Sequence, residues 1–171
     1  MSAEMVAAVT GYLEDAYLIY TVEIFSLNTS VRKTNPKKVY CADHALALAM
    51  SGSMTDDYGK VLENIIFMQL RRETDKIYYG KTPSGYEIDF VALERGQQIS
   101  EDRPPRLVQV CADMDEPETR ERELRALQEG MSFYGVKNAE IVAENTEETV
   151  QGAEGKIHII PAWKFLLQEE E

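Results

Sequence analysis

Two short stretches of alternating polar and apolar residues constrain the fold of this chain most. They run from Gly85 to Ala92 and from Arg106 to Cys111. Alternation with a period of two is typical of β-strands, whose successive side chains point to opposite faces of a sheet. If the two strands pair, one face carries Ile88, Phe90, Ala92, Val108 and Val110, and the other carries Glu87, Asp89, Gln109 and Cys111.

The polar face of this strand pair has two possible uses. A carboxylate on one strand and an amide oxygen on its neighbour, such as Asp89 and Gln109, lie close enough to share a hard cation such as Mg²⁺. The alternative is a half-exposed hairpin whose polar side chains face water, which is common in antiparallel sheets. Spacing alone leaves both interpretations open.

Composition indicates a soluble globular protein with one core and room for a small second subdomain. The 171 residues are 44% hydrophobic and 28% charged, which are ordinary values for that class. No stretch approaches the ~18 apolar residues of a membrane span, and no signal peptide is recognisable. We therefore expect a cytoplasmic protein without a membrane partner, in which Cys41 and Cys111 are reduced thiols.

The charge balance bears on nucleic-acid binding. The formal net charge is -12, and attraction to phosphate supplies most of the non-specific affinity of a protein for nucleic acid. The chain is therefore not expected to bind nucleic acid by its overall field. Local basic clusters keep such binding possible.

The first 54 residues predict a helix followed by a two-stranded ribbon. Apolar residues spaced by threes and fours predict the helix from Ala3 to about Tyr20, and strands are expected near Thr21–Leu27 and Val39–Ala42 with a polar turn at 28–30. This outline is that of the later half of a winged helix without its earlier helices. The basic residues between the strands either contact a phosphate backbone or form a solvated turn; they are Arg32, Lys33, Lys37 and Lys38.

Residues 55–171 predict a mixed sheet flanked by helices, an α/β architecture. Helices are expected at 58–72, from Pro117 to near Gly135, and from Pro161 onward, because Pro suits the first helical position and Gly the position after the last. Further strands are expected near 76–79, 139–144 and 156–160. The acidic stretch 144–154 is expected to be a loop, and Trp163, Phe165, Leu166 and Leu167 are expected in the core.

Glu63 lies inside or beside the apolar stripe of the helix that begins at Tyr58. A carboxylate there loses hydration, so it usually finds a partner, changes protonation or binds a cation. The alternative is that Glu63 reaches water at the edge of the stripe. The pattern does not decide between them.

Three features together resemble the PD-(D/E)XK nuclease-like fold: a helix glutamate, Gly-x-Glu-Ile-Asp-Phe on a strand, and a second strand ending at a polar-x-Lys position. The resemblance implies a restriction-endonuclease-like core. It also implies an Mg²⁺ site made by Glu63, Asp89 and Gln109, with a lysine that orients or activates water. Cys111 stands where that lysine is expected, so these four residues are the candidate catalytic set.

Ordered segments along nearly the whole chain are similar to the C-terminal domain of unknown function of many bacterial and archaeal AAA-type ATPases. The segments are Tyr12–Ile19, Asn35–Tyr40, Gly59–Asn64, Glu87–Phe90, Gln109–Cys111 and Ile160–Leu167. This resemblance implies a P-loop ATPase domain upstream or on a separate chain, and makes residues 1–54 the end of a winged-helix region. The sequence contains no Gly-x-x-x-x-Gly-Lys-Ser/Thr motif, so we expect a piece of a longer or split ATPase.

Three functions follow as hypotheses. The first is a catalytically degenerate nuclease-like domain that serves an ATPase in recognition or assembly, because a neutral thiol cannot supply the charge of the missing lysine. The second is an active Mg²⁺-dependent phosphodiesterase that acts on DNA or RNA with help from Glu87 and with Lys60 or Lys81 in the vacant place. The third is a protein-interaction or dimerisation module, for which a homo-oligomer is expected.

Overall fold

The computed structural model describes residues 2–51, 58–99 and 103–167, except the side chains of residues 47, 50 and 51. The predicted domain boundary between residues 54 and 55 lies outside this part of the chain. The helices and strands are, in order, α1 (Ala3–Asp15), β1 (Ile19–Val22), α2 (Thr29–Thr34), β2 (Lys38–Cys41), α3 (His44–Ser51), α4 (Tyr58–Glu73), β3 (Ile77–Lys81), β4 (Glu87–Ala92), β5 (Arg106–Cys111), α5 (Pro117–Tyr134), β6 (Asn138–Ala143), β7 (Glu148–Gln151), β8 (Lys156–Pro161) and α6 (Ala162–Leu166).

A six-stranded mixed sheet in the order β3-β4-β5-β6-β8-β7 forms the centre of the fold. β5, β6 and β8 run parallel, while β3, β4 and β7 pair antiparallel with their neighbours. Helices α4 and α6 cover one face, through Phe67, Leu70 and Phe165. Helix α5 covers the other, through Leu127 and Met131. The predicted α/β architecture, a mixed sheet flanked by helices, is confirmed.

A β-bulge in β4 changes the faces that alternation predicted. Tyr78 lies opposite Val91, but Gly80 lies opposite Ile88, so β4 carries one extra residue between these pairs. As a result Ile88 packs on the α5 side of the sheet, whereas Phe90 packs on the α4 side. The prediction of one shared apolar face was therefore wrong.

The N-terminal ribbon packs against the edge of this sheet and belongs to the same core. β1 and β2 pair antiparallel, and Val22 and Tyr40 are buried beside α4. The segment after β1 pairs with β3, because the Phe25 N–H donates to the Tyr79 carbonyl at 2.7 Å and the Tyr79 N–H donates to the Glu23 carbonyl at 3.0 Å. The ribbon thereby extends the β3 edge.

Several predicted elements differ in extent from those observed. The first helix ends at Asp15, because Tyr17 adopts φ 55° in the left-handed region. The predicted turn at 28–30 begins α2, since Asn28 Oδ1 accepts from the Ser30 N–H at 2.9 Å and caps that helix. The predicted acidic loop contains β7. Trp163 is 57% exposed rather than in the core, and Leu167 is 72% exposed.

Within the described residues, none of the helices has both the length and the apolar character that crossing a bilayer requires.

Gly155 lies close to the main chain of the loop before β6. It precedes β8 at φ 154°, and a Cβ there would lie 2.0 Å from the Lys137 carbonyl oxygen. We expect Gly155→Ala to lower the free energy of unfolding by more than about 1 kcal/mol, because main-chain atoms would have to move. Gly11→Ala is the control, since a Cβ there meets no atom within 4 Å. Urea unfolding curves of the two variants measure this difference, and equal effects would contradict it.

Candidate functional site

An ammonium group held by three carboxylates forms a polar site where the ribbon meets α4 and β4. Lys38 Nζ lies 3.0 Å from Glu63 Oε1, 2.8 Å from Glu87 Oε1 and 3.0 Å from Asp89 Oδ1. Tyr40 joins the group, because its hydroxyl donates to Glu63 Oε1 at 2.6 Å. These five residues are called the Lys38 cluster below.

Local periodicity places the β2 and α4 members of the cluster. Lys38 and Tyr40 are two residues apart on β2 and so share a face of that strand. Glu63 and Phe67 are four residues apart on α4 and so lie on one face of that helix. The Tyr40 ring stacks on the Phe67 ring with centroids 4.3 Å apart, which brings the Tyr40 hydroxyl to the Glu63 carboxylate one turn away.

Asp89 is fixed by the end of the β4–β5 ladder. The last regular pair is Phe90 with Val108, and beyond it side chains continue the hydrogen bonding. Asp89 Oδ2 accepts from the Val110 N–H at 3.1 Å, and the Asp89 N–H donates to Gln109 Oε1 at 3.1 Å. The Asp89 carboxylate is thus held by the main chain on one side and by Lys38 on the other.

The electrostatics of the cluster follow from low exposure and close charges. The side chains of Asp89, Lys38 and Glu63 are 13%, 21% and 23% exposed. Burial, followed by the nearby Glu63, raises the pKa of Asp89 to about 6 although Lys38 opposes the shift. Burial disfavours the Lys38 charge, but Asp89 and Glu63 outweigh it and raise the pKa of Lys38. Burial and Glu63 also raise the pKa of Tyr40, so its hydroxyl stays a donor.

Gln109 and Cys111 lie on the opposite face of the sheet from the cluster. Cys111 is buried together with residues of α5, and Gln109 Nε2 donates to Glu123 Oε2 on α5 at 2.9 Å. Burial and the nearby Glu123 raise the pKa of Cys111 to about 11, so the thiol stays protonated near neutral pH. Neither residue shares the side of the sheet on which Lys38 lies.

The predicted site residues are therefore only partly brought together. Glu63 and Asp89 converge, since an oxygen of each lies 3.0 Å from Lys38 Nζ. The side-chain oxygen of Gln109 does not point toward them. It accepts a hydrogen bond from the main-chain N–H of Asp89 instead. Cys111 does not occupy the place of a lysine beside them. The physical reason is the bulge, which turns Asp89 to the α4 side while Gln109 keeps its place under α5.

The sequence pattern did not identify Lys38 and Tyr40 as site residues. It assigned Lys38 to a basic segment that contacts phosphate or water, whereas the side chain enters the acidic cluster. The available signal was the alternation Lys38-Val39-Tyr40, which places Lys38 and Tyr40 on the same side of the strand and Val39 on the other. The cation of the site is Lys38 and not Lys60 or Lys81, the two lysines suggested for the vacant place.

The carboxylates of the cluster are hard oxygen ligands of the kind that Mg²⁺ prefers. Their arrangement is set by an ammonium ion, however, and each directs an oxygen at Lys38 Nζ. In the part of the chain that the structure describes, no group of three or more His, Cys, Asp or Glu residues has an arrangement that could hold a metal ion.

Comparison with known proteins identifies a longer relative. The chain is 30% identical over 177 residues to an uncharacterized protein of Methanocaldococcus jannaschii, and the alignment covers 98% of this chain. The chain spans 37% of the length of that relative. No family model matches the chain. No solved structure matches it either.

Removing the ammonium should destabilise the protein in a pH-dependent way. We expect Lys38→Met to lower the free energy of unfolding by about 3 kcal/mol at pH 7, because the carboxylates lose their counter-charge in a half-buried site. The folded-state pKa of Asp89, about 6, lies above the ordinary aspartate value of 3.8, so Asp89 binds a proton on folding between those values. Loss of Lys38 raises that pKa further, so the cost of the substitution should be largest above the raised pKa, shrink as pH falls toward 6, and level off below 6, where Asp89 is protonated in both proteins.

The matched control is Lys37→Met, the neighbouring lysine. Lys37 forms one ion pair with Glu23 at 3.1 Å, and its side chain is 44% exposed. Its loss should cost less than about 1 kcal/mol at every pH. Chemical unfolding of both variants at pH 5 and pH 7 gives the comparison, and a pH-independent cost for Lys38→Met would argue against a cluster that controls Asp89.

Proposed function

We propose that this chain is a nuclease-like, catalytically degenerate accessory domain of an AAA-type ATPase that acts in recognition or assembly. The observation that carries the proposal is the occupation of all three N–H donors of Lys38. An ammonium group has three donors and no acceptor, and carboxylate oxygens of Glu63, Glu87 and Asp89 lie within 3.0 Å of Lys38 Nζ. No donor is left for the oxygens of a phosphodiester.

The same geometry argues against a resident Mg²⁺. A divalent cation that bridges Glu63 and Asp89 would have to displace the Lys38 ammonium or stand beside it. The cation and the ammonium would repel each other strongly at such short separation, because partial exclusion of water lowers the screening between charges. Cys111, at the position of the expected lysine, lies on the other face of the sheet and is protonated near neutral pH.

The ATPase part of the proposal rests on three observations. The ordered segments of the sequence resemble the C-terminal domain of AAA-type ATPases, and the chain spans 37% of a longer relative. In addition, helix α1 has no buried residue. Its apolar side chains Met5, Val9 and Tyr12 are 56%, 45% and 73% exposed. A 13-residue helix is marginal in water without packing, so an apolar face of this kind suits contact with another domain.

A second function has one specific observation in its favour. Lys38 stands next to Glu63 and Asp89, where a nuclease-like site would use a lysine, and Glu87 is the most exposed carboxylate of the cluster at 45%. In an active Mg²⁺-dependent nuclease, Glu63 and Asp89 would hold the ion and the ion would polarise the phosphodiester. Lys38 would then have to exchange Glu87 for a substrate oxygen.

Metal and cleavage assays separate the two functions. For the degenerate domain we expect no cleavage of single- or double-stranded DNA or RNA with Mg²⁺ or Mn²⁺, and no rise in Tm with either ion, because an ion that does not bind the folded state cannot stabilise it. Cleavage that requires metal and is lost in both Asp89→Ala and Lys38→Met, but retained in Lys37→Met, would establish the active nuclease and refute the degenerate domain.

The ATPase part is tested separately on the longer M. jannaschii relative. We expect the part of that protein outside the matched region to hydrolyse ATP, and to bind the matched region when the two are produced as separate chains. Phosphate release and gel filtration of the mixture are the measurements. Absence of ATP hydrolysis would refute the ATPase assignment and leave the interpretation of the Lys38 cluster unchanged.

A further inference from the structure

A groove with an apolar floor runs along the side of the molecule formed by the segment after β1 and the end of α5. It encloses a cavity of about 640 Å³, which is in the size range of ligand-binding clefts. The residues that form its apolar walls are Phe25, Leu27, Pro104, Pro105, Phe133 and Tyr134. It is called the Phe133 groove below, and its walls share no residue with the Lys38 cluster.

The aromatic wall of the groove is held in a fixed arrangement. The Phe25 ring meets the Tyr78 and Tyr134 rings edge-on, with centroids 5.6 Å apart in both pairs. The Phe133 and Tyr134 rings are 4.8 Å apart. A ring that is already ordered loses little freedom on binding, which favours affinity. Phe133 and Leu27 nevertheless remain 54% and 62% exposed.

A basic end adjoins the apolar groove. A second cavity of about 250 Å³ shares Leu27 and Ile99 with the groove, and Arg32 and Lys76 line it. Among the described residues, neither Arg32 nor Lys76 forms an ion pair with a carboxylate. Both are instead hydrogen-bonded to neutral oxygens, Arg32 Nη2 to Thr29 Oγ1 and Lys76 Nζ to the Gln97 carbonyl.

Arg32 also has an unused donor at this end of the groove. Its Nε is buried and makes no hydrogen bond to any of the described residues. Buried donors without a partner are uncommon in folded proteins and call for an explanation. Because this Nε has no exposed surface, an anionic group in the groove would instead meet the terminal nitrogens of Arg32.

We propose that the Phe133 groove binds an extended acidic peptide segment of a partner protein. An aromatic or long aliphatic side chain of the segment packs between Leu27 and Phe133, and a neighbouring carboxylate pairs with Arg32 and Lys76. The charges are complementary, because Arg32 and Lys76, which form no ion pair with a carboxylate of residues 2–51, 58–99 or 103–167, adjoin an apolar surface. This chemistry matches recognition by a few anchor residues in a pocket.

Nucleic acid fits the same surface less well. It would bring one phosphate per nucleotide toward a strongly acidic chain, and its affinity depends on neutralising many of them. The two cations at one end of the groove can neutralise only one or two anionic groups, which is the number that a short acidic peptide segment presents. The aromatic wall would accept a stacked base, so an oligonucleotide is included in the test.

Selection from a random 12-residue phage-display library on the whole chain tests this inference. We expect enriched peptides to contain Asp or Glu within two positions of Phe, Trp, Leu or Ile, and a fluorescein-labelled copy of the enriched sequence to bind in anisotropy titrations. Phe133→Ser and Arg32→Gln should each weaken its binding at least about tenfold, as expected for central anchors. Arg32→Gln should also reduce the dependence of binding on salt.

Each variant has a matched control that lies outside the groove. Trp163→Ser removes a helical aromatic that is 57% exposed, close to the 54% of Phe133, and Lys33→Gln removes the neighbouring charge on α2. Both should bind within about twofold of the unmodified chain. Circular dichroism melting curves verify that all four variants fold.

Four results would overturn the inference. The first is a selection in which no peptide sequence is enriched on the unmodified chain relative to the Phe133→Ser variant. The second is a consensus without an acidic residue, or one whose binding survives Arg32→Gln. The third is tighter binding of a fluorescent oligo(dT) or oligo(U) probe than of the selected peptide, with the difference lost in Arg32→Gln, which would assign the groove to nucleic acid. The fourth is self-association of the chain that is lost in Phe133→Ser, which would assign the groove to a second copy of the chain.

Discussion

The ion pairs of Lys38 are the interaction on which the arrangement of this protein depends. They join β2 of the N-terminal ribbon to α4 through Glu63 and to β4 through Glu87 and Asp89. Three carboxylates this close would repel one another, and removing their hydration costs energy. The ammonium offsets both costs, since each of its donors meets one carboxylate. The site therefore exists only when the ribbon is docked, and the ribbon is held in part by the site.

The bulge in β4 makes that site possible without opening the core. It lets Phe90 pack under the Tyr40 ring, with centroids 5.6 Å apart, while Ile88 stays against α5. Gly80 lies opposite the bulge, and a Cβ there would come within 2.9 Å of the Tyr134 hydroxyl. A bulge of this kind turns a side chain out of the regular alternation, which explains why bulges occur beside functional sites.

The parts of the structure that local pattern determines were predictable, and the parts that depend on distant contacts were not. Helix α5 begins after the Glu116 cap and ends at Gly135 in the left-handed conformation, as its sequence predicts. The bulge leaves no mark in the alternation of residues 85–92, and β7 forms in an acidic stretch because it pairs with β8. Glu63 and Asp89 were singled out by the helical stripe and the strand alternation, and the resemblance to a nuclease-like fold predicted that they share a site. Lys38 was not, because it is 25 and 51 residues away from them, and periodicity carries no information at that separation.

The Lys38 cluster and the Phe133 groove are mechanically connected through the ribbon. The chain between β1 and Lys38 contributes Phe25, Leu27 and Arg32 to the groove or its basic end. That segment is tied down at both ends, by pairing of its start with β3 and by Lys38 at its end, and the Tyr79 hydroxyl donates to the Pro36 carbonyl between them at 2.7 Å. A metal ion in place of Lys38 would not hold this segment, because only a side chain of β2 links the carboxylates to the ribbon. Lys38 therefore fixes the segment that contributes to the groove, and under the two proposals made above this gives the three carboxylates a structural role that does not require catalysis.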